Sequence, residues 1–150
     1  EMGSVAFKSH IMQEIQEKLL AEAVTPNPMD DDDFYFASKY ARAFARKASA
    51  LFKKKIKNQV PVVGIGRLFN NSVGPIGLDE GVITRPGLRH YIIDALNKSD
   101  AEIDNPFAHV DVSNCILTLG MMKALHIHEI HPVDTTTTME MLVNPRFWRD

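Results

Sequence analysis

Apolar side chains recur every three to four residues over most of the chain, which is the spacing of helices that bury one face. This spacing predicts a first helix over residues 9–23, with Ser9 as its cap. It also predicts a longer helix over residues 34–58, preceded by aspartates at Asp30 to Asp33, where the helix dipole favours negative charge. The apolar face of this longer helix consists of Ala37, Tyr40, Ala41, Phe44, Ala48, Leu51 and Phe52.

The second half of the chain predicts two more helices. Thr84 is placed to cap the first of them, with Pro86 in its first turn. Its expected buried face is Leu88, Tyr91, Ile92, Ala95 and Leu96. Residues 111–127 are apolar on most sides, which is typical of a central helix that others surround. Gly120 costs that helix about 1 kcal/mol against alanine, which indicates close packing there.

Residues 59–84 are rich in glycine and proline and predict a mostly irregular connection, with one short strand favoured between Val60 and Ile65. The fold class is therefore mainly α, a compact bundle of four to six helices with a Gly-rich irregular connection and one short β-element. We expect residues 1–150 to form a single domain. Its parts are an acidic N-terminal segment (1–33), a basic amphipathic helix (34–58), the connection (59–84), and a helical core and tail (85–150).

The composition of the 150 residues, 45% hydrophobic and 24% charged, argues against general disorder. Cys115 is the single cysteine, so an internal disulfide cannot form, which favours a reducing compartment. No apolar run approaches the roughly 20 residues that span a bilayer. We therefore expect no transmembrane segment and a cytoplasmic location, or a place within a virion or another complex.

The net charge of −2 conceals a segregated distribution. Residues 1–33 carry a charge of −6, residues 34–59 carry +8 without a single acid, and residues 60–150 carry −4. Such asymmetry indicates an electrostatic partner, either within the chain or outside it.

The basic side chains of the helix over 34–58 fall opposite its apolar face. They are Lys39, Arg42, Arg46, Lys47, Lys53, Lys54 and Lys57. Three interpretations stay open. The bases could follow the phosphates of a nucleic acid, from which they would release counterions. They could bind an acidic protein surface, including another copy of the chain. They could also form a solvated face balanced by the acidic N-terminal segment.

A histidine-rich stretch follows the central helix, with His126, His128 and His131 as candidate metal ligands. In a strand His126 and His128 would point the same way and could share a transition metal. The stretch resembles the HxHxDH motif of the metallo-β-lactamase superfamily over six residues. Ile130 replaces the aspartate of that motif, and the predicted fold lacks the β-rich scaffold, so membership is excluded. The alternative is a polar helix end, where histidine suits the dipole.

Other candidate chemistry is weak. Gly64-Ile65-Gly66 matches neither phosphate-loop pattern and predicts a tight turn. Cys115 lies in the most apolar helix and is expected to be a core residue. Asp94, Asp104 and Asp111 could form a catalytic pair only if folding brought them together. We expect no cofactor, and the sequence favours a non-enzymatic protein without deciding the question.

The C-terminal tail concentrates apolar area, including the single tryptophan. Its candidate interface residues are Met141, Arg146, Phe147 and Trp148, because Trp and Arg are favoured at the centres of protein interfaces. The sequence therefore predicts an assembly or adaptor subunit that engages a polyanionic partner through its basic helix and a protein through its tail. The alternatives are a nucleic-acid-binding protein and, third, a metal-dependent enzyme centred on the three histidines.

Overall fold

The computed structural model describes residues 3–48, 50–58, 60–79 and 81–135. Within these residues the fold is mainly α, as predicted, with six α-helices and four short strands. The helices are α1 (Ser4–His10), α2 (Asp31–Ala45), α3 (Ala50–Lys57), α4 (Gly74–Gly77), α5 (Arg85–Ala95) and α6 (Ala108–Leu125). The strands are β1 (Val63–Ile65), β2 (Leu78–Asp79), β3 (Val82–Thr84) and β4 (Glu129–Val133). Two π-helical segments, Ile11–Ile15 and Leu68–Val73, continue α1 and lead into α4.

Helix α6 is the centre of the fold, which confirms the prediction for residues 111–127. Every residue from 111 to 120 is buried, and α1, α2 and α5 all pack against this helix. The closest approach is at Gly120, where an added Cβ would lie 2.5 Å from Cβ of Ala41 on α2. The predicted close packing at Gly120 is therefore confirmed, because only a hydrogen atom fits between the two backbones.

The four strands form one small sheet in the order β1-β4-β3-β2. Strand β1 pairs parallel with β4, and the other neighbours are antiparallel. Ile83 faces Ile130 across β3 and β4, and both side chains are buried against the helices. The strand expected between Val60 and Ile65 is confirmed as β1.

The first helix differs from its prediction over 9–23. It begins at Ser4, continues as a π-helix to Ile15 and then ends, so Ser9 lies within it rather than capping it. The fully buried Phe7 draws the helix start upstream. The Gln16 side chain then donates hydrogen bonds to the Pro26 carbonyl (2.8 Å) and to Asp33 (2.6 Å), which ties the chain to the start of α2.

The single basic helix predicted over 34–58 is wrong, since the structure has two helices there, α2 and α3. Asp30 and Asp33 cap α2 reciprocally, so the aspartates lie at its N-terminus as expected. At the other end the Lys53 ammonium donates to the Arg46 carbonyl, which satisfies an acceptor that a continuous helix would have used. Of the predicted apolar face only Ala37 and Ala41 are buried, and Ala45, which the prediction did not include, is buried with them. Tyr40, Leu51 and Phe52 are exposed.

The connection over 59–84 is more regular than predicted, because it contains three strands, a π-helical segment and α4. Gly66, with φ of 83°, makes the expected tight turn after β1.

The prediction for α5 is confirmed. Thr84 accepts a hydrogen bond from the Gly87 amide (3.2 Å), and Leu88, Ile92 and Ala95 are buried. The tail from residue 136 onward, with its predicted interface, lies outside the described residues.

Candidate functional site

The seven basic side chains singled out in the sequence are all exposed, but two helices rather than one carry them. Lys39 and Arg42 lie on α2, Arg46 and Lys47 follow it, and Lys53, Lys54 and Lys57 lie on α3. Their aliphatic stems leave the charged ends in solvent. Exposure alone fits an ordinary solvated face, so the surroundings of these side chains decide how they are interpreted.

No carboxylate in the described part of the chain forms an ion pair with any of the seven bases. The ion pairs found there are Lys98 with Asp94 (3.0 Å) and His131 with Glu129 (3.2 Å). At the start of α2, Asp30 and Asp33 cap the helix instead of pairing with the bases. Among residues 3–48, 50–58, 60–79 and 81–135, the seven bases are therefore not neutralised by ion pairs.

A groove between α2, α5 and α6 gathers basic residues from all three helices. We call it the central groove, and its volume is about 450 Å³. It is lined by Phe34, Tyr35, Ser38, Lys39, Arg42, Arg46, Arg89 and Lys123. Helix packing thus brings bases that are about 80 residues apart in sequence to one concave surface.

Two more grooves share lining residues with the central groove. One, of about 520 Å³, shares Arg89 and Lys123 with it and adds Arg85 and His90. The other, of about 670 Å³, shares Arg46 and adds Lys53, Lys57, His126 and His128. No carboxylate is among the described residues that line the three grooves. We call their Lys, Arg and His side chains together the basic surface.

The pKa of Lys123 reflects how close the positive charges of the basic surface lie to one another. Its pKa is held below the ordinary lysine value, first by burial and then by the positive charges of Arg89, Arg42 and Arg85. Both effects disfavour the charged ammonium. An anion bound in the central groove would oppose them, because it would favour the protonated form.

Arg85 is fixed in place by the end of α6. Its guanidinium donates to the carbonyls of Ile127 (2.7 Å) and Met122 (2.9 Å). Cations are favoured at helix C-termini, where backbone carbonyls lack partners. One arginine of the basic surface therefore has a structural role as well.

The sequence prediction missed Arg85, Arg89, His90 and Lys123. Their positions become relevant only because α5 and α6 pack beside α2, which a single sequence does not reveal. One signal was present, since Arg85 and Arg89 stand four residues apart at the start of a predicted helix and so share a face.

The three histidines have different settings. His126 ends α6 in a left-handed conformation with φ of 59°, and with the exposed His128 it lines one groove of the basic surface. His131 lies in β4 beside Glu129. No group of three His, Cys, Asp or Glu among the described residues is arranged to hold a metal ion.

At the opposite end of α6, four polar side chains form a hydrogen-bonded cluster, and three of them are buried. Ser72 donates a hydrogen bond to Asp111, Asn114 donates to Ser72 (3.0 Å), and Ser4 donates to Asn114. Burial raises the pKa of Asp111, and its Oδ2 has no hydrogen-bond partner in the described residues. We call these four side chains the buried polar cluster.

The remaining candidates for chemistry are not assembled into one site. Asp94 pairs with Lys98 at the surface, Asp104 is exposed, and Asp111 belongs to the buried polar cluster. Cys115 is fully buried, as predicted for a core residue, and burial raises the pKa of its thiol. The predicted interface residues Met141, Arg146, Phe147 and Trp148 lie outside the described residues.

The helices of the described residues do not combine the length and apolar character that would let one cross a membrane. In comparisons with known proteins, the chain matches no protein-family model, no curated protein and no solved structure.

Proposed function

We propose that this protein binds a polyanion on its basic surface and that the polyanion is nucleic acid. The observation that supports this most strongly is that three grooves share basic lining residues and have no carboxylate among their described lining residues. A solvated lysine-rich face would follow one helix. Here the bases come from α2, α3, α5 and α6 and surround concave spaces that a backbone could occupy.

The physical basis is counterion release. Nucleic acid carries a condensed layer of cations, and each phosphate that a protein base neutralises frees part of that layer. Six such contacts would give a slope of about −5 in a plot of log affinity against log salt concentration. A bound phosphate would also relieve the repulsion that Lys123 experiences from Arg42, Arg85 and Arg89. A cytoplasmic or virion location, expected from the sequence, would give the protein access to such a ligand.

A fluorescence anisotropy titration with a labelled oligonucleotide tests this proposal at several salt concentrations. We expect Arg89→Glu to weaken binding about tenfold and to reduce the salt slope, since it removes a base shared by two grooves. Arg67→Glu is the matched control, because Arg67 is exposed and lines none of the three grooves. It should bind almost as the wild type does.

Three results would overturn the proposal. They are the absence of binding at low salt, binding that does not change with salt, and equal losses in Arg89→Glu and Arg67→Glu. The first two would remove the electrostatic basis of binding. The third would show that net charge matters and the basic surface does not.

A second candidate function is an assembly subunit that associates through α3. None of the α3 residues is buried, and Leu51 is 68% exposed on it. An apolar side chain this exposed on a surface helix is a candidate for a protein contact. If α3 joins two copies, light scattering should show an oligomer that Leu51→Ser dissociates. Val24→Ser, at a residue 77% exposed elsewhere, should leave the oligomer intact.

A further inference from the structure

Two exposed aromatic rings lie beside the central groove, at the start of α2. Tyr35 is 59% exposed and Phe36 is 50% exposed. The rings contact each other edge to face, with centroids 5.3 Å apart and planes at 76°. Because they pack on each other rather than into the core, their remaining surfaces are open to solvent.

The arrangement of α2 places Tyr35 in line with the bases. Tyr35, Lys39, Arg42 and Arg46 are separated by four, three and four residues, which puts all four on one stripe of the helix. All four line the central groove. The stripe is about 16 Å long, at about 1.5 Å of rise per residue. One aromatic face is therefore followed by three positive charges along the same groove.

Phe36 lies on the other side of Lys39. It lines a neighbouring groove with Tyr40, and the ring of Tyr40 stacks on His10 with centroids 3.6 Å apart. Lys39 borders both grooves. Aromatic rings thus flank the first base of the stripe.

We propose that the preferred ligand is single-stranded nucleic acid, with a base stacked on Tyr35 and the following phosphates on Lys39, Arg42 and Arg46. This inference rests on the proposed function. Proteins that bind single strands combine a positive groove for the backbone with aromatic rings for the bases. Stacking tolerates any sequence, because every base has a flat face.

A duplex fits this surface less well. Its bases already stack on each other, so their faces are not available to Tyr35. Sequence-specific recognition of a duplex needs an element that enters a groove of the DNA and contacts base edges, for which polar side chains serve better than a tyrosine and a phenylalanine. An anionic membrane would also attract bases and aromatic rings. The concave shape of the central groove favours a strand over a flat lipid surface.

The test compares three ligands of equal length, each about 20 units long. They are an unstructured single strand, the same strand in a duplex, and a strand of sugar and phosphate without bases. We expect the single strand to bind about tenfold more tightly than the baseless strand, since stacking of even one base has this effect. Tyr35→Ala should remove that advantage without changing the affinity for the baseless strand. Tyr35→Phe keeps the ring and should keep the advantage.

Phe107→Ala is the control for losing an exposed aromatic ring elsewhere. Phe107 is 44% exposed and lines none of the grooves described above. Its loss should leave all three affinities unchanged. Vesicles with anionic headgroups, at the same salt concentration, should bind more weakly than the single strand.

The outcomes separate this inference from the proposed function. Equal binding of all three nucleic acid ligands would overturn the stacking on Tyr35 and leave phosphate binding intact. If Tyr35→Ala binds the single strand as tightly as the wild type does, stacking on Tyr35 is likewise overturned and phosphate binding is left intact. If none of the ligands binds at low salt, the proposed function itself fails. Tighter binding to the vesicles would overturn the choice of nucleic acid as the ligand.

Discussion

The two ends of α6 place ionisable groups in opposite circumstances. Near its start, Asp111 is almost fully buried in the buried polar cluster. Near its end, Lys123 is half-buried beside the central groove. Burial disfavours the charged form of both groups, because it raises the pKa of Asp111 and lowers that of Lys123.

The difference lies in what compensates each group. Asp111 accepts a hydrogen bond from Ser72, and Ser72 accepts one from Asn114. These hydrogen bonds within the chain partly compensate the burial of the Asp111 carboxyl group. The residues around Lys123 do the reverse, since Arg42, Arg85 and Arg89 add repulsion to burial. At one end of the helix, hydrogen bonds from neighbouring side chains partly compensate the buried group. At the other end the neighbouring charges are all positive, and an external anion bound there, as we propose, would compensate them.

The largest expected effect is at Gly120, where α2 crosses α6 between these two regions. Gly120→Ala would place its Cβ 2.5 Å from Cβ of Ala41 and would force the helices apart. We expect a loss of about 2 kcal/mol, from overpacking that is partly offset by the better helix propensity of alanine. Nucleic acid binding should weaken as well, because α2 carries Lys39 and Arg42 away from Lys123. Urea unfolding and the anisotropy titration measure the two effects.

Ala41→Gly provides the matched control for this substitution. It removes the Cβ that Gly120→Ala would meet, so the double variant should recover much of the stability and the affinity. A favourable coupling energy in the double-mutant cycle is the expected result. Strictly additive losses would show that the two residues do not meet, and affinity unchanged in Gly120→Ala would separate the basic surface from the position of α2.

Sequence reasoning identified the two ends of α6 to different extents. The apolar run of 111–127 predicted the central helix, because burial on every side leaves a clear hydrophobic signal. It did not predict the buried polar cluster, since the partners Ser4 and Ser72 come from distant segments and carry no pattern of their own. It placed seven bases of α2 and α3 at the surface, but not Lys123 beside them. Tertiary packing alone brings that residue into the central groove.

The division between α2 and α3 was missed for a different reason. The stretch from residue 45 to 50 contains neither proline nor glycine, and alanine and lysine are good helix formers, so propensity gave no warning. The interruption depends on tertiary contacts. Ala41 and Ala45 are buried against the core, whereas α3 has no fully buried residue and contacts the core through the partly buried Ile56. The Arg46 carbonyl accepts a hydrogen bond from Lys53. Local helix propensity favours one continuous helix, whereas tertiary packing separates α2 from α3.

Asp111→Asn tests the end of the helix that holds the buried polar cluster and should have an intermediate effect. The new amide can still accept from Ser72, but its NH₂ group would occupy the position of Oδ2, which has no hydrogen-bond partner in the described residues. An unpaired buried donor should cost about 1 kcal/mol. At low pH, where Asp111 is protonated in both the folded and the unfolded state, the carboxyl carries one O–H donor and the amide carries two N–H donors. Thermal or urea unfolding of both proteins there measures the cost of the additional donor.

The pH dependence of the same pair gives a sharper test. The pKa of Asp111 in the folded protein is raised above the ordinary 3.8, so the unfolded chain loses this proton first. Wild-type stability should therefore fall as pH rises from about 3.8 through the folded pKa, and Asp111→Asn should lack this contribution. The stability difference between the two proteins should narrow with rising pH. A difference that widens would mean that Asp111 is stabilised as a carboxylate.

Lys123→Met tests the other end of α6 and should have the smallest effect on stability. Methionine preserves the half-buried apolar stem and removes a charge that three arginines repel. We expect a gain of a few tenths of a kcal/mol, as for other partly exposed charges. The pKa of Lys123 lies below the ordinary 10.5, so wild-type stability should rise as pH increases through the folded pKa toward 10.5. The variant should lack this rise.

The comparison between the two ends depends on what Lys123→Met does to binding. Its affinity for nucleic acid should fall several-fold while its stability rises. The reason is that the positive charge of Lys123 destabilises the folded protein by repulsion but attracts the phosphates of the ligand. Lys98→Met is the matched control, since Lys98 pairs with Asp94 outside the basic surface. That variant should lose a few tenths of a kcal/mol and no affinity. If Lys123→Met were instead less stable with unchanged affinity, Lys123 would be a structural residue like Asp111, and the two ends of α6 would not differ.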